Sequence, residues 1–336
     1  IVNKLDWNEG NAIAFKINGT ANSLTGTSNK RNPYSYDGGA ATGNQPKLVI
    51  NFTYACCGSL TTNWNGSSWD NGVPNKLTQA TFTGNFNSTN DLEACAINIT
   101  NNAQVEIATG KTLTVKNEIT IDNGSSLTVN NDAAINQINA ESINSGNAIV
   151  KRNSTPMVRL DYTAWSSPVD NQQLKAFSPN TLDNRFYQYL YTGTTTATAY
   201  ESVNPYTNFI PGKGYLIRAA NNWPTSGTIF NGSFNGNLNN GNFNQSIGAG
   251  YNLIGNPYPS PIQSSLFFNL NPNVSTLYFW NHNSAAVGGV YPVNNYASRT
   301  RLGGVAAASG GAIPNDYIQT GQGFYVLSSA SNDVLF

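Results

Sequence analysis

Short runs in which apolar and polar residues alternate recur along the chain, separated by turn residues. Six of these runs lie close together, at Ala96–Ile99, Gln104–Ile107, Thr112–Val115, Glu118–Ile121, Ser126–Val129 and Ala134–Ile138. Alternation with a period of two residues predicts strands with one buried face. Asn-Gly pairs, which favour tight hairpin turns, begin at Asn18, Asn65, Asn71, Asn123, Asn231, Asn235 and Asn240. The pattern therefore predicts an all-β protein.

The runs within residues 58–150 follow a regular spacing. Ile97 and Ile119 lie 22 residues apart, and so do Val105 and Leu127. Strands of about four residues, broken by Asn and Gly corners at a constant period, predict the stacked coils of a parallel β-helix. Inward Ile, Leu and Val side chains of one coil would pack against the next coil. An antiparallel meander is the alternative for the same pattern.

Two further segments flank this region. Residues 1–54 contain two alternating runs, at 12–17 and 46–54, around a loop rich in Asn, Ser, Gly and Thr. Two or three strands cannot close a sandwich alone, so we expect the C-terminal strands of a jelly-roll, carbohydrate-binding-like module. Residues 151–336 contain a weak internal repeat, which predicts a third unit.

Each half of residues 151–336 has the same three features in the same order: an aromatic strand ending in Pro, an aromatic central strand, and a Gly-x-Gly pair before an apolar strand. These stretches are 162–168, 185–189 and 210–217, then 251–257, 277–280 and 318–326. Two such halves facing each other would form one β-sandwich with a shared aromatic core.

The charge balance narrows the functional classes. Among 336 residues there are 17 Lys+Arg and 17 Asp+Glu, so the formal net charge is zero, and charged residues make up only 10%. A neutral chain lacks the positive electrostatic potential that attracts nucleic acid. We therefore expect that the protein does not bind nucleic acid. No apolar run approaches the roughly 20 residues that span a bilayer. The polar residues are largely uncharged, with 53 Asn.

Residues suited to catalysis are few and scattered. His282 is the only histidine, and no Gly-x-Ser-x-Gly elbow offers a nucleophile for a triad, so a structural role is predicted for it. Asp91 and Glu93 would share one face of a strand, yet no acidic residue stands in a recognisable acid/base motif of a glycosidase. We therefore predict that this chain is not an enzyme.

The Gly-x-Gly pairs raise the question of a phosphate-binding loop. They are Gly212 with Gly214 and Gly321 with Gly323. A third glycine and a following helix, which such loops require, are both missing, and a strand follows instead. The glycines are predicted to supply a positive φ or a bulge at the start of a strand.

Four aromatic residues in turn-like contexts are candidates for sugar binding: Trp64, Trp69, Trp223 and Tyr258. A flat ring covers the apolar face of a pyranose, while neighbouring Asn and Gln side chains bond its hydroxyl groups. Packing in the protein core is the alternative for each of them.

Metal and cysteine chemistry add two expectations. Asp37, Asp70 and Asp183 are candidate ligands for a structural calcium ion, which prefers oxygen donors, although no Asp-x-Asp-x-Asp loop is present. No other cofactor is predicted. The cysteines are Cys56, Cys57 and Cys95. Because adjacent cysteines rarely bond each other, we expect a disulfide from Cys95 to Cys56 or Cys57, with three reduced thiols as the alternative.

Several longer motifs resemble a known group of proteins. They lie at 64–74, 91–95, 151–157, 162–168, 212–215, 251–259, 277–280 and 321–324. These stretches resemble large surface and secreted proteins of Bacteroidota, especially Flavobacterium-like adhesins exported by the type IX secretion system. The resemblance covers roughly residues 60–336. Residues 1–54 are similar to the closing strands of a jelly roll found upstream in such proteins.

The resemblance implies a β-rich protein that meets the type IX machinery during export and ends at the cell surface or outside the cell. It supplies no catalytic residues. We expect a non-catalytic segment of a large exported protein, an adhesin or stalk that attaches to surfaces or glycans. The alternatives are an accessory glycan-binding module of a secreted polysaccharide-degrading enzyme, or a structural subunit of an extracellular filament.

From the pattern at its two ends, we expect the chain to be a segment of a larger protein. Ile1–Trp7 has the pattern of the middle of a folded module, no signal peptide opens the chain, and residues 333–336 have the pattern of an unfinished strand. The sorting domain expected of the family is not among these residues.

Overall fold

The computed structural model describes residues 57–189, 199–284, 291 and 293–336. The chain forms two compact units, Ile1–Tyr54 and Ala55–Phe336. The predicted jelly-roll strands of residues 1–54, together with Asp37 and Cys56, lie outside the described residues. No helix among those described is both long enough and apolar enough to cross a membrane.

A parallel β-solenoid of about four turns opens the second unit. Its strands are β1 (Leu60–Trp64), β2 (Thr78–Phe82), β3 (Phe86–Asn87), β4 (Leu92–Ala94), β5 (Ala96–Ile99), β6 (Gln104–Ile107), β7 (Thr112–Val115), β8 (Ile119–Ile121), β9 (Ser126–Val129), β10 (Ala134–Gln137) and β11 (Ala148–Asn153). They form three parallel stacks, β1-β2-β5-β8, β3-β6-β9-β11 and β4-β7-β10. The prediction of an all-β protein with a β-helix-like coil is confirmed.

The spacing of 22 residues is the distance along the chain between stacked residues. Ile97 pairs with Ile119, and Val105 pairs with Leu127, in parallel register. All four side chains are fully buried, because every second residue of a strand points inward and meets its equivalent on the next coil. The parallel pairing excludes the antiparallel meander.

A disulfide between Cys57 and Cys95 closes the start of the solenoid. Cys57 precedes β1, and Cys95 lies at the corner between β4 and β5. The bond therefore ties the entrance of the first coil to the coil below it. The sequence alone left Cys56 and Cys57 as equal candidates.

The two halves that follow have the same topology. The first half contains β12 (Tyr162–Trp165), α1 (Leu174–Phe177), a 3-10 turn (Asp183–Arg185), β13 (Phe186–Tyr189), β14 (Tyr200–Ser202), β15 (Tyr215–Arg218) and β16 (Asn231–Gly236). Its sheet order is β12-β15-β13-β14.

The second half repeats this arrangement and adds short strands. It contains β17 (Asn244–Ile247), β18 (Gly250–Gly255), β19 (Ile262–Gln263), α2 (Ser264–Leu270), β20 (Val274–Trp280), a 3-10 turn (Val293–Asn295), β21 (Tyr296–Thr300), β22 (Gly303–Val305), β23 (Tyr317–Ile318), β24 (Gly323–Ser328) and β25 (Asn332–Leu335). The main sheet has the order β18-β24-β20-β21-β22, and β17 pairs with β25 as β11 pairs with β16.

Reciprocal contacts relate the two halves by a pseudo-twofold. Trp165 at the end of β12 bridges to Gln322 before β24, and Ile254 in β18 bridges to Lys213 before β15. The Gly-x-Gly pairs sit at these bridges. Gly212 and Gly321 have positive φ angles of 78° and 70°, which a residue without a Cβ atom adopts freely. The predicted structural role of these glycines is confirmed for the first glycine of each pair.

Three apolar layers hold the unit together. The outer face of the first sheet, with Trp165 and Phe186, joins the solenoid in one continuous core. The outer face of the second sheet packs against α2 through Phe267 and Phe324. Between the sheets lies a tyrosine-rich layer around the buried Tyr325. This layer is the shared aromatic core between two facing halves.

Candidate functional site

A cavity of about 380 Å³, here called the histidine cleft, opens where the solenoid meets both halves of the sandwich. Its walls come from five separate stretches of chain, together with Ile229: 131–132, 152–155, 163–165, 279–282 and 322–323. Ligand pockets in proteins typically occupy roughly 300–1,000 Å³, so the cleft is large enough for a small ligand or a segment of a polymer.

His282 follows β20 and forms one wall of the cleft. Its Nε2 lies 2.8 Å from the backbone carbonyl oxygen of Tyr162, which can only accept, so Nε2 carries the proton. Its Nδ1 lies 3.0 Å from the Thr155 hydroxyl. Both ring nitrogens are therefore engaged, and the side chain links the second half to the first. This geometry agrees with the structural role expected for His282.

One ion pair lies in the cleft, between Arg152 of β11 and Asp132 at a corner of the last coil. Asp132 has a positive φ of 61°, a conformation in which Asp is enriched. The neighbouring Asn131 Oδ1 accepts a hydrogen bond of 2.8 Å from the backbone N–H of Asn153. The charges of the ion pair neutralise each other, so the polar groups left in the cleft are uncharged.

Three amide side chains complete the polar lining: Asn153 from β11, Asn281 after β20 and Gln322 before β24. Gln322 Oε1 accepts a hydrogen bond of 2.9 Å from the backbone N–H of Gln319. Its Nε2 and the side chains of Asn153 and Asn281 make no hydrogen bond within the described part of the chain. The half-buried Trp280 ring lies beside them. The cleft thus combines uncharged donors and acceptors with an apolar ring.

A second cavity, the tryptophan pocket, has a volume of about 230 Å³ and shares Trp165 with the histidine cleft. The rings of Trp165 and Trp223 lie 5.8 and 5.9 Å from that of Phe230. Trp223 Nε1 donates a hydrogen bond of 3.1 Å to the carbonyl oxygen of Met157. The predicted Trp223 is therefore at a cavity, with its only polar atom already bonded to the backbone.

Comparison with known proteins provides a family for this architecture. A family model described as "Domain of unknown function (DUF8693)" matches residues 55–336. The chain belongs to this family. The matched residues are the solenoid and the sandwich together. No curated protein and no solved structure gives a significant match.

In this DUF8693 chain Trp64 and Trp69 cover the first coil of the solenoid. Their ring centroids lie 5.5 Å apart, and Trp69 packs edge-on against Phe82 at 5.2 Å. Trp64 Nε1 donates a hydrogen bond of 2.8 Å to the carbonyl oxygen of Asn85. The two rings close the end of the apolar core, as the caps of repeat stacks do.

Tyr258 lies at a third place, beside the last coil. Its hydroxyl donates a hydrogen bond of 2.8 Å to the carbonyl oxygen of Gly241, and its ring contacts Phe243 at 5.6 Å. Burial raises the pKa of Tyr258 to about 12. The four predicted sugar-binding residues thus lie at three separate sites and do not form one surface.

The predicted calcium ligands Asp70 and Asp183 each accept hydrogen bonds from different groups of the protein. Asp70 accepts hydrogen bonds of 2.7 Å from both the backbone N–H and the side-chain amide of Asn63, and these bonds lower its pKa. Asp183 bonds Lys175 and Tyr206, which lower its pKa. Among the residues the structure describes, no three His, Cys, Asp or Glu side chains are placed to hold a metal ion.

The amides of the histidine cleft were not predicted. Asn153 and Asn281 are two of 53 asparagines, and no local motif distinguishes them. Gln322 carried a weak signal, since it occupies the middle of a Gly-x-Gly pair whose counterpart holds Lys213. Comparing the two halves position by position would have shown this difference.

Proposed function

We propose that residues 57–336 are a non-catalytic segment of an exported cell-surface protein and act as a stalk in attachment to surfaces or glycans. The proposal includes passage through the type IX secretion machinery and a location outside the cell. The motifs that resemble Flavobacterium-like adhesins support the location. The way in which the solenoid joins the sandwich supports the mechanical role.

The single observation that carries the proposal is the position of β11. One edge of β11 pairs in parallel with β9 of the last complete coil, through Ala148, Ile149 and Val150. Its other edge pairs antiparallel with β16 of the first half over six residues. One strand therefore belongs to both parts, with no flexible linker between them.

The apolar core crosses the same junction. Val129 in the last coil, Val150 in β11 and Phe234 in β16 are fully buried members of one cluster. Pulling the sandwich away from the solenoid would break hydrogen bonds along β11 and expose these side chains to water, which costs about 25 cal/mol per Å² of apolar surface. Such a junction transmits force, as a stalk must.

Attachment of the producing bacterium tests the proposal. Deleting residues 57–336 from the parent protein should reduce adhesion to surfaces or glycan-coated beads while the parent still reaches the cell surface. Unchanged adhesion would contradict the proposal. So would hydrolysis of polysaccharide by the purified chain alone, measured as release of reducing ends.

An accessory glycan-binding role is the second candidate. The observation that favours it is the pair of adjacent cavities lined by aromatic rings and amides. In that case the purified chain should bind on a glycan array and should raise the activity of a polysaccharide-degrading domain joined to it. Equal activity with and without the chain would contradict this role.

A further inference from the structure

The two halves of the sandwich contain equivalent clefts. The second, here called the lysine cleft, has a volume of about 220 Å³ and is lined by Tyr189, Lys213, 245–248 and 252–254. It occupies the position equivalent to the histidine cleft, because Gly212 lies against Phe336 and Gln245 as Gly321 lies against Phe234 and Arg152.

The correspondence places three pairs of residues at equivalent positions. Gln322 and Lys213 stand at the two bridges between the halves. Arg152 and Gln245 lie next to the equivalent glycines, so Asn153 and Ser246 follow at the next position of β11 and β17. The lysine cleft therefore serves as a reference. It shows how the polar side chains at these positions are bonded where they only support the structure.

Polar groups in the lysine cleft are bonded within the protein. Lys213 Nζ donates to Gln188 Oε1. Asn252 Nδ2 donates to the carbonyl oxygens of Gly248 and Gly250 at 2.8 and 3.1 Å. Ser246 donates to Asp333 at 2.5 Å. The fold of one half therefore does not require unpaired polar side chains in its cleft.

The histidine cleft differs on this point. Asn153, Asn281 and the Nε2 of Gln322 face it without a hydrogen-bond partner among the described residues. The fully buried Asn256, by contrast, is bonded within the protein. Asn256 Nδ2 alone lies within hydrogen-bond distance of three carbonyl oxygens. Three amides that have unpaired groups among the described residues therefore converge on one cleft from distant parts of the sequence, whereas Lys213, Ser246 and Asn252 of the lysine cleft are bonded within the protein.

We propose that the histidine cleft binds a neutral saccharide, and that Asn153, Asn281 and Gln322 bond its hydroxyl groups. This inference rests on the proposed attachment role and names the site for it. An amide carries both donors and acceptors, as a sugar hydroxyl does. The ion pair of Arg152 with Asp132 leaves no net charge for an acidic or basic sugar, and Trp280 offers an apolar ring.

An extended peptide fits the cleft less well. Strand addition uses free backbone N–H and C=O groups at a sheet edge. Here the backbone N–H of Asn153 donates to Asn131, that of Asn281 donates to Asn295, and that of Gln322 donates to Gln319. The groups that remain free are side-chain amides, which suit pendant hydroxyl groups.

Binding to defined oligosaccharides tests the inference. The whole chain is titrated calorimetrically with cellohexaose, xylohexaose and maltohexaose, and with trigalacturonate and a chitosan oligomer as charged probes. At least one neutral oligomer should bind more tightly than either charged one. The double variant Asn153→Ala/Asn281→Ala should bind that oligomer about tenfold more weakly, because two neutral hydrogen bonds are lost. Gln322→Ala should weaken binding about threefold.

Matched variants in the lysine cleft serve as controls. Ser246→Ala and Lys213→Ala sit at the positions equivalent to Asn153 and Gln322 and should leave affinity unchanged. Circular dichroism and the thermal midpoint establish that each variant is folded. Equal weakening by the control variants, or tighter binding of a charged oligomer, would overturn the inference.

Three other results would also contradict saccharide binding in the histidine cleft, and they would leave the proposed stalk role to be decided separately. If Trp223→Ala abolishes binding while the amide variants bind normally, the sugar lies in the tryptophan pocket. If a casein digest binds and the oligosaccharides do not, the ligand is a peptide. If no oligosaccharide binds, the cleft is not a sugar site, whereas the stalk role still stands or falls with the adhesion of the deletion strain.

Discussion

Gly214 lies against the backbone of Ile254 across the interface between the two halves. A Cβ atom at Gly214 would be 2.4 Å from the carbonyl oxygen of Ile254, closer than any side chain can approach. Gly323 also lies close to the opposite strand, where a Cβ atom would be 2.9 Å from the backbone of Ala164. The second glycine of each Gly-x-Gly pair thus allows the two sheets to pack.

Alanine at Gly214 should force the sheets apart. We expect Gly214→Ala to lower the free energy of unfolding by about 1–3 kcal/mol, the usual cost of inserting a methyl group into packed structure. Urea denaturation measures it. Gly227→Ala is the control, since its Cβ atom would meet only the Pro156 side chain at 3.3 Å. Equal effects of the two substitutions would contradict the packing explanation.

The disulfide should stabilise the solenoid through its unfolded state. Cys57 and Cys95 are 38 residues apart, and closing a loop of that length is worth about 4 kcal/mol in the chain-entropy account. Cys95→Ala should therefore lower the free energy of unfolding by about 2–4 kcal/mol. Cys56→Ser is the control and should retain the disulfide. A reduced chain as stable as the oxidised one would contradict this.

Asp316 should make the second half sensitive to acid. Its carboxylate accepts hydrogen bonds from Ser264 and Ser265 at the start of α2 and pairs with Arg299 at 2.7 Å. The serine bonds, with the Ser264 hydroxyl foremost, hold the pKa of Asp316 well below its ordinary value. A lowered pKa in the folded state means that the stabilisation is present above the unfolded pKa of about 4 and is lost as pH falls further.

The variant Asp316→Asn should therefore be less stable at neutral pH by about 1–2 kcal/mol, as for other lost helix caps. Between pH ~4 and the lower folded pKa it should lose less stability than the unmodified chain. Thermal midpoints measured across acidic pH check this. Asp122→Asn, whose side chain makes no hydrogen bond in the described residues, should change neither quantity.

Tyr258 should lose its proton only at high pH and should hold the segment between β16 and β17 through its bond to Gly241. Burial raises its pKa to about 12, so the stabilisation is complete below the unfolded pKa of about 10 and is lost as pH rises toward 12. Tyr258→Phe should remove the bond to Gly241, lower stability by about 1 kcal/mol, and remove one late step from the ultraviolet titration of tyrosinate. An unchanged titration would contradict the assignment.

Much of the fold could be predicted from the residue pattern, because the strands that stack in the solenoid are close to one another in sequence. Ile97 and Ile119 stack as their spacing predicts, since every coil repeats the same inward and outward alternation. The repeat in residues 151–336 was also visible, because each half needs the same glycines at the same bridges. In both cases the same structural requirement occurs more than once, so the same residue pattern is repeated in the sequence.

The candidate site could not be predicted in the same way. Its walls come from five separated stretches, and the amides that distinguish it are common residues whose partners depend on the tertiary structure. Asn256 and Asn281 look alike in sequence, yet the first is saturated by backbone groups and the second faces the cleft. Tryptophan rings were a poor guide because a large ring is equally suited to closing a core, as Trp64 and Trp69 do.

The position of β11 has a consequence for how the protein assembles. Its hydrogen bonds on one side need β9, which precedes it by about one coil, whereas those on the other side need β16, far later in the chain. Contacts between residues close in sequence form before contacts between distant ones. The coils should therefore fold first, and the free edge of β11 would then pair with β16 as the first half folds. A chain that folds from its N-terminal end would then meet each folding partner in the order in which it is required.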